Sequence, residues 1–151
     1  LFRYEDLDTG HTAETSFGGH VFNTLVTYKS EPQSYKGPPP GLSTRLFLRV
    51  GPPPLDTLCH LIYPASRDWH PVSDTVLMLM SAKGQEVARK QLQIACGGSH
   101  LWRFNETFNA AERETAGANC YVLIRDTTCR LFGYHGLVGG RAFSLDHMFG
   151  F

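Results

Sequence analysis

The stretch Thr75-Val76-Leu77-Met78-Leu79-Met80, followed by Ser81-Ala82-Lys83-Gly84 and then by Val87-Ala88-Arg89-Lys90-Gln91-Leu92-Gln93-Ile94, decides the fold class. Its first part is a near-continuous apolar run, the pattern of a strand covered on both faces. Lys83-Gly84 supplies a hairpin turn, since glycine reaches the backbone angles such turns need. The return arm alternates, with Ala88, Lys90, Leu92 and Ile94 on one face and Val87, Arg89, Gln91 and Gln93 on the other. Two such arms are an antiparallel hairpin.

Outward from it the same grammar recurs. Thr44–Val50 alternates with period two: Leu46, Leu48 and Val50 share one face, and Arg45, Phe47 and Arg49 share the other. Leu58–Tyr63 is a strand stopped by Pro64, and His20–Lys29 is rich in β-branched and aromatic residues. Gly37–Gly41 and Gly51–Pro54 each hold three consecutive prolines, which lack backbone donors and fit stiff connectors. His100–Phe104 is a short aromatic strand. Tyr121–Ile124 and Cys129–Tyr134 read as a last hairpin about Asp126-Thr127. Strands at spacings of about ten residues, with Gly and Pro between them, predict an all-β chain. The expected form is an antiparallel β-sandwich of immunoglobulin-like or jelly-roll type, one domain over 1–151. One short helical segment is expected near 105–116, ended by Gly117. Residues 1–18 read as an irregular entry segment, and 141–151 as a terminal apolar segment forming the last strand. The predicted core is Leu46, Leu48, Leu77, Leu79, Leu92, Ile94, Val122, Ile124 and Leu131.

Composition narrows the function classes. Fourteen Lys+Arg balance fourteen Asp+Glu, so the formal net charge is zero with His neutral. That balance gives no electrostatic reason to expect nucleic acid as a partner. No uncharged stretch is long enough for a transmembrane segment. Without a strand–helix–strand alternation, a parallel nucleotide-binding sheet is not expected. No G-x-S-x-G nucleophile elbow and no phosphate-cradling glycine loop is present. Cys59, Cys96, Cys120 and Cys129 lack C-x-x-C spacing and read mainly as small buried hydrophobes, with three disulfide pairings left open.

Over residues 74–135 the pattern resembles the recurrent bacterial immunoglobulin-like β-sandwich modules. The resemblance rests on the apolar strand, the Ala82-Lys83-Gly84 turn, the second strand, the Gly97-Gly98 step and a short helical turn. It ends in Tyr121-Val122-Leu123-Ile124 and Cys129-Arg130-Leu131-Phe132-Gly133-Tyr134. Lys83 stands where those modules often carry Asp or Asn. The resemblance implies a sandwich fold, a binding or spacer role, and an exported or cell-surface location.

The seven histidines are the unusual feature. His20, His135 and His147 each lie near glycine at a strand end, where distant segments meet. Three imidazoles with Asp146 beside them have the composition of a site for one transition metal such as Zn, with an open position. The ordinary role of each is a loop histidine bonded to backbone or water. His60 shares a face with Leu58 and Ile62 and, if that face is covered, needs a hydrogen-bond partner. Trp69, Trp102 and Tyr134 are candidate stacking faces for a sugar, although an aromatic at Trp102 more often packs in the core. Phe143, Met148, Phe149 and Phe151 in the terminal segment are candidates for self-association or contact with a protein partner.

The leading expectation is a non-catalytic binding or assembly module, with homo-oligomerisation through the terminal segment as one form of assembly and no cofactor. The alternatives are a small metal-dependent enzyme using His20, His135 and His147, in which metal-bound water attacks the substrate, and a carbohydrate-binding sandwich.

Overall fold

A strand with one apolar face must bury that face, and two such sheets bury theirs against each other. That solution is adopted here. The computed structural model describes residues 2–15, 43–64 and 70–148. Its elements in chain order are β1 (Phe2–Glu5), β2 (Thr12–Thr15), β3 (Thr44–Arg49), β4 (Asp56–Ile62), β5 (Thr75–Met80), β6 (Glu86–Leu92), β7 (Ser99–Arg103), α1 (Phe104–Thr107), α2 (Ala110–Ala116), β8 (Tyr121–Asp126), β9 (Phe132–Gly139) and β10 (Ala142–His147). One four-stranded sheet runs β10-β9-β4-β7 and the other β3-β8-β5-β6, and every pairing is antiparallel. The fold is an antiparallel β-sandwich. The expected strand His20–Lys29 and the first proline run lie outside the described residues.

The core lies between the two sheets. β3 and β8 contribute Leu46, Leu48, Val122 and Ile124, β5 contributes Leu77 and Leu79, and β4 faces them with Cys59 and Leu61. Eight of the nine predicted core residues are buried, and Leu92, on the edge strand β6, is half-buried against the cluster. Gly133 on β9 is packed too closely for a side chain. A Cβ there would stand 2.8 Å from Leu46 Cδ1 and 2.9 Å from Met148 Sδ. Cys59, Cys120 and Cys129 are buried free thiols, as expected of small hydrophobes.

Three local expectations need correction. The entry segment is not irregular: β1 and β2 form a hairpin, with Phe2 opposite Thr15 and Glu5 opposite Thr12. Asp6–Gly10 is its turn, closed by Gly10 N–H on Asp6 O. Asp6 Oδ1 accepts from the N–H groups of Asp8 and Thr9, and Gly10 takes φ +70°. Second, Tyr121–Ile124 and Cys129–Tyr134 are not two arms of a hairpin. β8 and β9 belong to different sheets, and the turn at Asp126–Leu131 carries the chain across the sandwich. Alternation cannot distinguish a hairpin from such an arch, because both are two strands and a turn. Third, the helical segment is two pieces. Phe104 and Phe108 are both buried, and the chain leaves α1 at Phe108. α2 then starts afresh with a capping box: Asn109 Oδ1 accepts from Glu112 N–H, and Glu112 Oε2 accepts from Asn109 N–H. Gly117 ends α2 at φ +72°.

Candidate functional site

Two outward faces of the sandwich carry chemistry. The first is the outer face of β10-β9-β4-β7, which bears His60, Tyr134 and His147. His60 stands opposite Tyr134, and Tyr134 opposite His147. The β1–β2 hairpin lies over them. The Phe2 ring meets Tyr134 edge-on at 5.6 Å and His60 at 6.3 Å, and Tyr4 meets His60 at 5.6 Å. The Tyr4 hydroxyl is hydrogen-bonded to His60 Nδ1. This is the partner that a covered His60 requires.

The surroundings disfavour charge on this patch. Burial lowers the His60 pKa, with His100 adding to the effect. Burial, together with Tyr134 and Cys59, pushes the Tyr4 hydroxyl up to about 12. A neutral ring unprotonated at Nδ1 accepts the Tyr4 hydroxyl proton, so both groups are satisfied uncharged. The patch is a closed aromatic layer that holds a hairpin.

The candidate metal ligands are not brought together on this face. His135 stands opposite Asp146, and His147 opposite Tyr134. Side chains alternate along a strand, so His135 and Asp146 lie on one side of the sheet and His147 on the other. His20 lies outside the described residues. Among the described residues no three His, Cys, Asp or Glu side chains are grouped to hold a metal ion. Burial lowers the His135 pKa, and Asp146 opposes that shift.

The candidate stacking and contact residues divide the same way. Trp102 is 6% exposed and packs in the core, and Tyr134 is fully buried under the hairpin. Neither presents a ring to an external sugar, because each fills space between layers. Trp69 lies outside the described residues. Met148 is also a correction: it is 2% exposed, with its sulfur 3.8 Å from Cys59 Sγ, so it is core and not a contact for a partner. Phe143 is half-buried on β10, and Phe149 and Phe151 lie outside the described residues.

The second face is the outer side of β3-β8-β5-β6, and it carries an arrangement that was not anticipated. Strand register stacks it in three rungs. Arg45, Arg125, Val76 and Gln91 form one, Phe47, Leu123, Met78 and Arg89 the next, and Arg49, Tyr121, Met80 and Glu86 the third. Phe47 is 43% exposed and stacks on Tyr121, with ring centroids 4.7 Å apart and planes inclined at 28°. Arg89 is neutralised by Glu86 at 2.8 Å. Arg45, Arg49 and Arg125 have no carboxylate within ion-pair reach among the described residues.

Arg45 and Arg125 are direct cross-strand partners. Like charges placed so cost roughly 0.2–1 kcal/mol. They flank a cleft of about 370 Å³ lined also by Ser43, Met78, Leu123 and Thr127. Asp126 forms its floor, but that carboxylate is turned inward. Oδ1 accepts from Thr128 N–H, Thr128 Oγ1 and Cys129 N–H, and Oδ2 accepts from Thr75 Oγ1. Burial alone would raise its pKa, but hydrogen bonds from Thr128, Thr75 and Cys129 outweigh burial and hold it below the usual value. Chemically, the cleft offers two guanidinium forks, hydroxyls and an apolar wall.

The sequence held half of this signal. Alternation places Arg45, Phe47 and Arg49 on one face of β3, while the opposition of Arg125 to Arg45 depends on a long-range register. No protein-family model, curated protein or solved structure matches this chain.

Proposed function

We propose that this protein is a non-catalytic binding module that takes an anionic ligand on the outward face of β3-β8-β5-β6. One observation carries the reading: Arg45, Arg49 and Arg125 stand without carboxylate partners among the described residues, on a face that also carries Phe47, Leu123, Tyr121 and Met78 and whose Glu86 is taken by Arg89. Unpaired guanidiniums beside half-buried apolar groups are the usual composition of a contact surface. The zero net charge sharpens the point, since the positive charge here is local and not a property of the whole chain. The likeness over residues 74–135 to bacterial immunoglobulin-like modules supports a binding role in the same direction.

The test is a titration with inorganic pyrophosphate followed through backbone amide shifts. Shifts concentrated at residues 44–49 and 121–127 are expected, and they should vanish in an Arg45→Gln/Arg125→Gln double variant. Shifts scattered over β10-β9-β4-β7, or none at all, would rule the reading out.

A further inference from the structure

We infer that the Arg45–Arg125 cleft binds the dianionic phosphoryl group of a small phosphomonoester, with the ester's apolar or aromatic carrier lying along Leu123 toward Phe47. The inference rests on the binding reading above and adds the ligand class.

Each guanidinium presents a planar fork that pairs with two oxygens. A carboxylate has two oxygens and fills one fork. Arg45 and Arg125 are held directly opposite each other, so the site asks for an anion that serves two forks at once. A phosphomonoester has three terminal oxygens, which serve two forks when one oxygen accepts from both, and close to two charges at neutral pH. It removes the repulsion between the two guanidiniums, which a neutral ligand does not.

The surroundings agree. Ser43 and Thr127 line the same cleft and supply hydroxyls. The Asp126 carboxylate beneath is already bonded to Thr75, Thr128 and Cys129, so it does not pair with the arginines. The next rung, two residues or about 6.8 Å along the strands, is Phe47 and Leu123. Phe47 is braced from behind by its stack on Tyr121 and keeps an exposed ring. A cleft of about 370 Å³ falls in the range of small-molecule sites rather than flat protein contacts.

Isothermal titration of the full chain with phenyl phosphate, phenyl sulfate and benzoate at pH 7.5 tests this. Phenyl phosphate should bind about tenfold more tightly than phenyl sulfate, with benzoate weaker still. Its affinity should fall toward that of phenyl sulfate by pH 5, as the phosphate takes up its second proton (pKa about 6). Arg45→Gln and Arg125→Gln should each cost about tenfold, and Phe47→Ala should weaken phenyl phosphate more than methyl phosphate. Arg141→Gln, at the β9–β10 turn of the other sheet, should change nothing. All four side chains are exposed, and cooperative thermal unfolding at or above the wild-type midpoint will show that the variants fold. Equal affinity for phenyl sulfate and phenyl phosphate overturns the phosphoryl assignment while the binding reading stands, provided pyrophosphate still perturbs the face. Binding to phosphatidylserine vesicles without binding to phenyl phosphate overturns the small-ligand assignment. Silence with phenyl phosphate and pyrophosphate alike overturns both.

Discussion

The hydroxyl of Tyr4 is bonded to Nδ1 of His60, and this contact, 56 residues apart in sequence, joins the first hairpin to the central strand of a sheet. Two strands of four residues are marginal alone in water. The hairpin is held by what it covers, Tyr134 and His60, and by its own turn at Asp6–Gly10. Tyr4→Phe keeps the ring contacts and removes the hydrogen bond, leaving Nδ1 unpaired. The expected cost is about 1 kcal/mol. Amide exchange should accelerate over residues 2–15 and hardly at all in β5 or β8. Unchanged exchange in the hairpin would show that the hydrogen bond contributes nothing.

Acidification should weaken the same sheet, which carries His60 on its outer side and His135 on the other. His60 and His135 both have pKa values lowered from 6.5 in the folded state, chiefly by burial. The unfolded chain therefore takes up protons first as pH falls below about 6.5, while the folded state resists. Stability is unaffected above that pH, declines below it, and levels off once the folded histidines also protonate. Denaturant unfolding at pH 7.5, 6.5 and 5.5 should show a decline confined to the lower interval. A His60→Gln variant should lose part of it. A flat profile would contradict the burial of these rings.

Asp126 holds the crossing between the two sheets. Its carboxylate accepts from Thr75, Thr128 and Cys129 at 2.7–2.9 Å. Asp126→Ala leaves the Thr128 and Cys129 donors without acceptors, while Thr75 keeps Ser73 Oγ, and should cost about 2–3 kcal/mol. Because the folded pKa is depressed below 3.8, the carboxylate's contribution is complete above that pH. It is lost as pH falls through the lower folded value. Acid unfolding midpoints of the wild type and of Asp126→Asn should differ, with the wild type steeper below pH 4. Coincident curves would remove the carboxylate from the account.

Gly133 faces the core with no room for a side chain, and a Cβ there meets Leu46 and Met148. Gly133→Ala should cost about 1–2 kcal/mol through overpacking. Adding Met148→Ala should recover part of that loss, which a double-mutant cycle in urea would read. Additive losses would mean that the contact is not the cause.

Arg125→Gln should stabilise the free protein. Removing one of two directly opposed guanidiniums relieves roughly 0.2–1 kcal/mol, and the gain should shrink as salt screens the pair. Thermal unfolding at low and high salt checks both parts. A destabilised variant would mean that Arg125 has a structural role not visible in its contacts.

Much of this architecture is written locally. The period-two pattern of Thr44–Val50, the apolar run Thr75–Met80 with its Lys83-Gly84 turn, and the β-branched and aromatic strands each specify a strand and its buried side. The reason is that side-chain alternation is a property of a single extended segment. Burial of Leu46, Leu48, Leu77, Leu79, Val122 and Ile124 follows from it. Pairing across sequence does not. Alternation in Tyr121–Asp126 is the same whether the next strand folds back beside it or crosses to the other sheet, so the arch at Asp126 was invisible. The histidines show the same limit. Glycine neighbours and strand ends made His135 and His147 look alike, and one residue of register put them on opposite faces. Tyr134 and Trp102 were visible as aromatics, but only the packed layers decided that they are buried. Above all, Arg45 and Arg125 are ordinary surface residues in their own segments. They become a site because the register of β3 on β8 holds two like charges opposite each other, which is long-range geometry that no local pattern encodes.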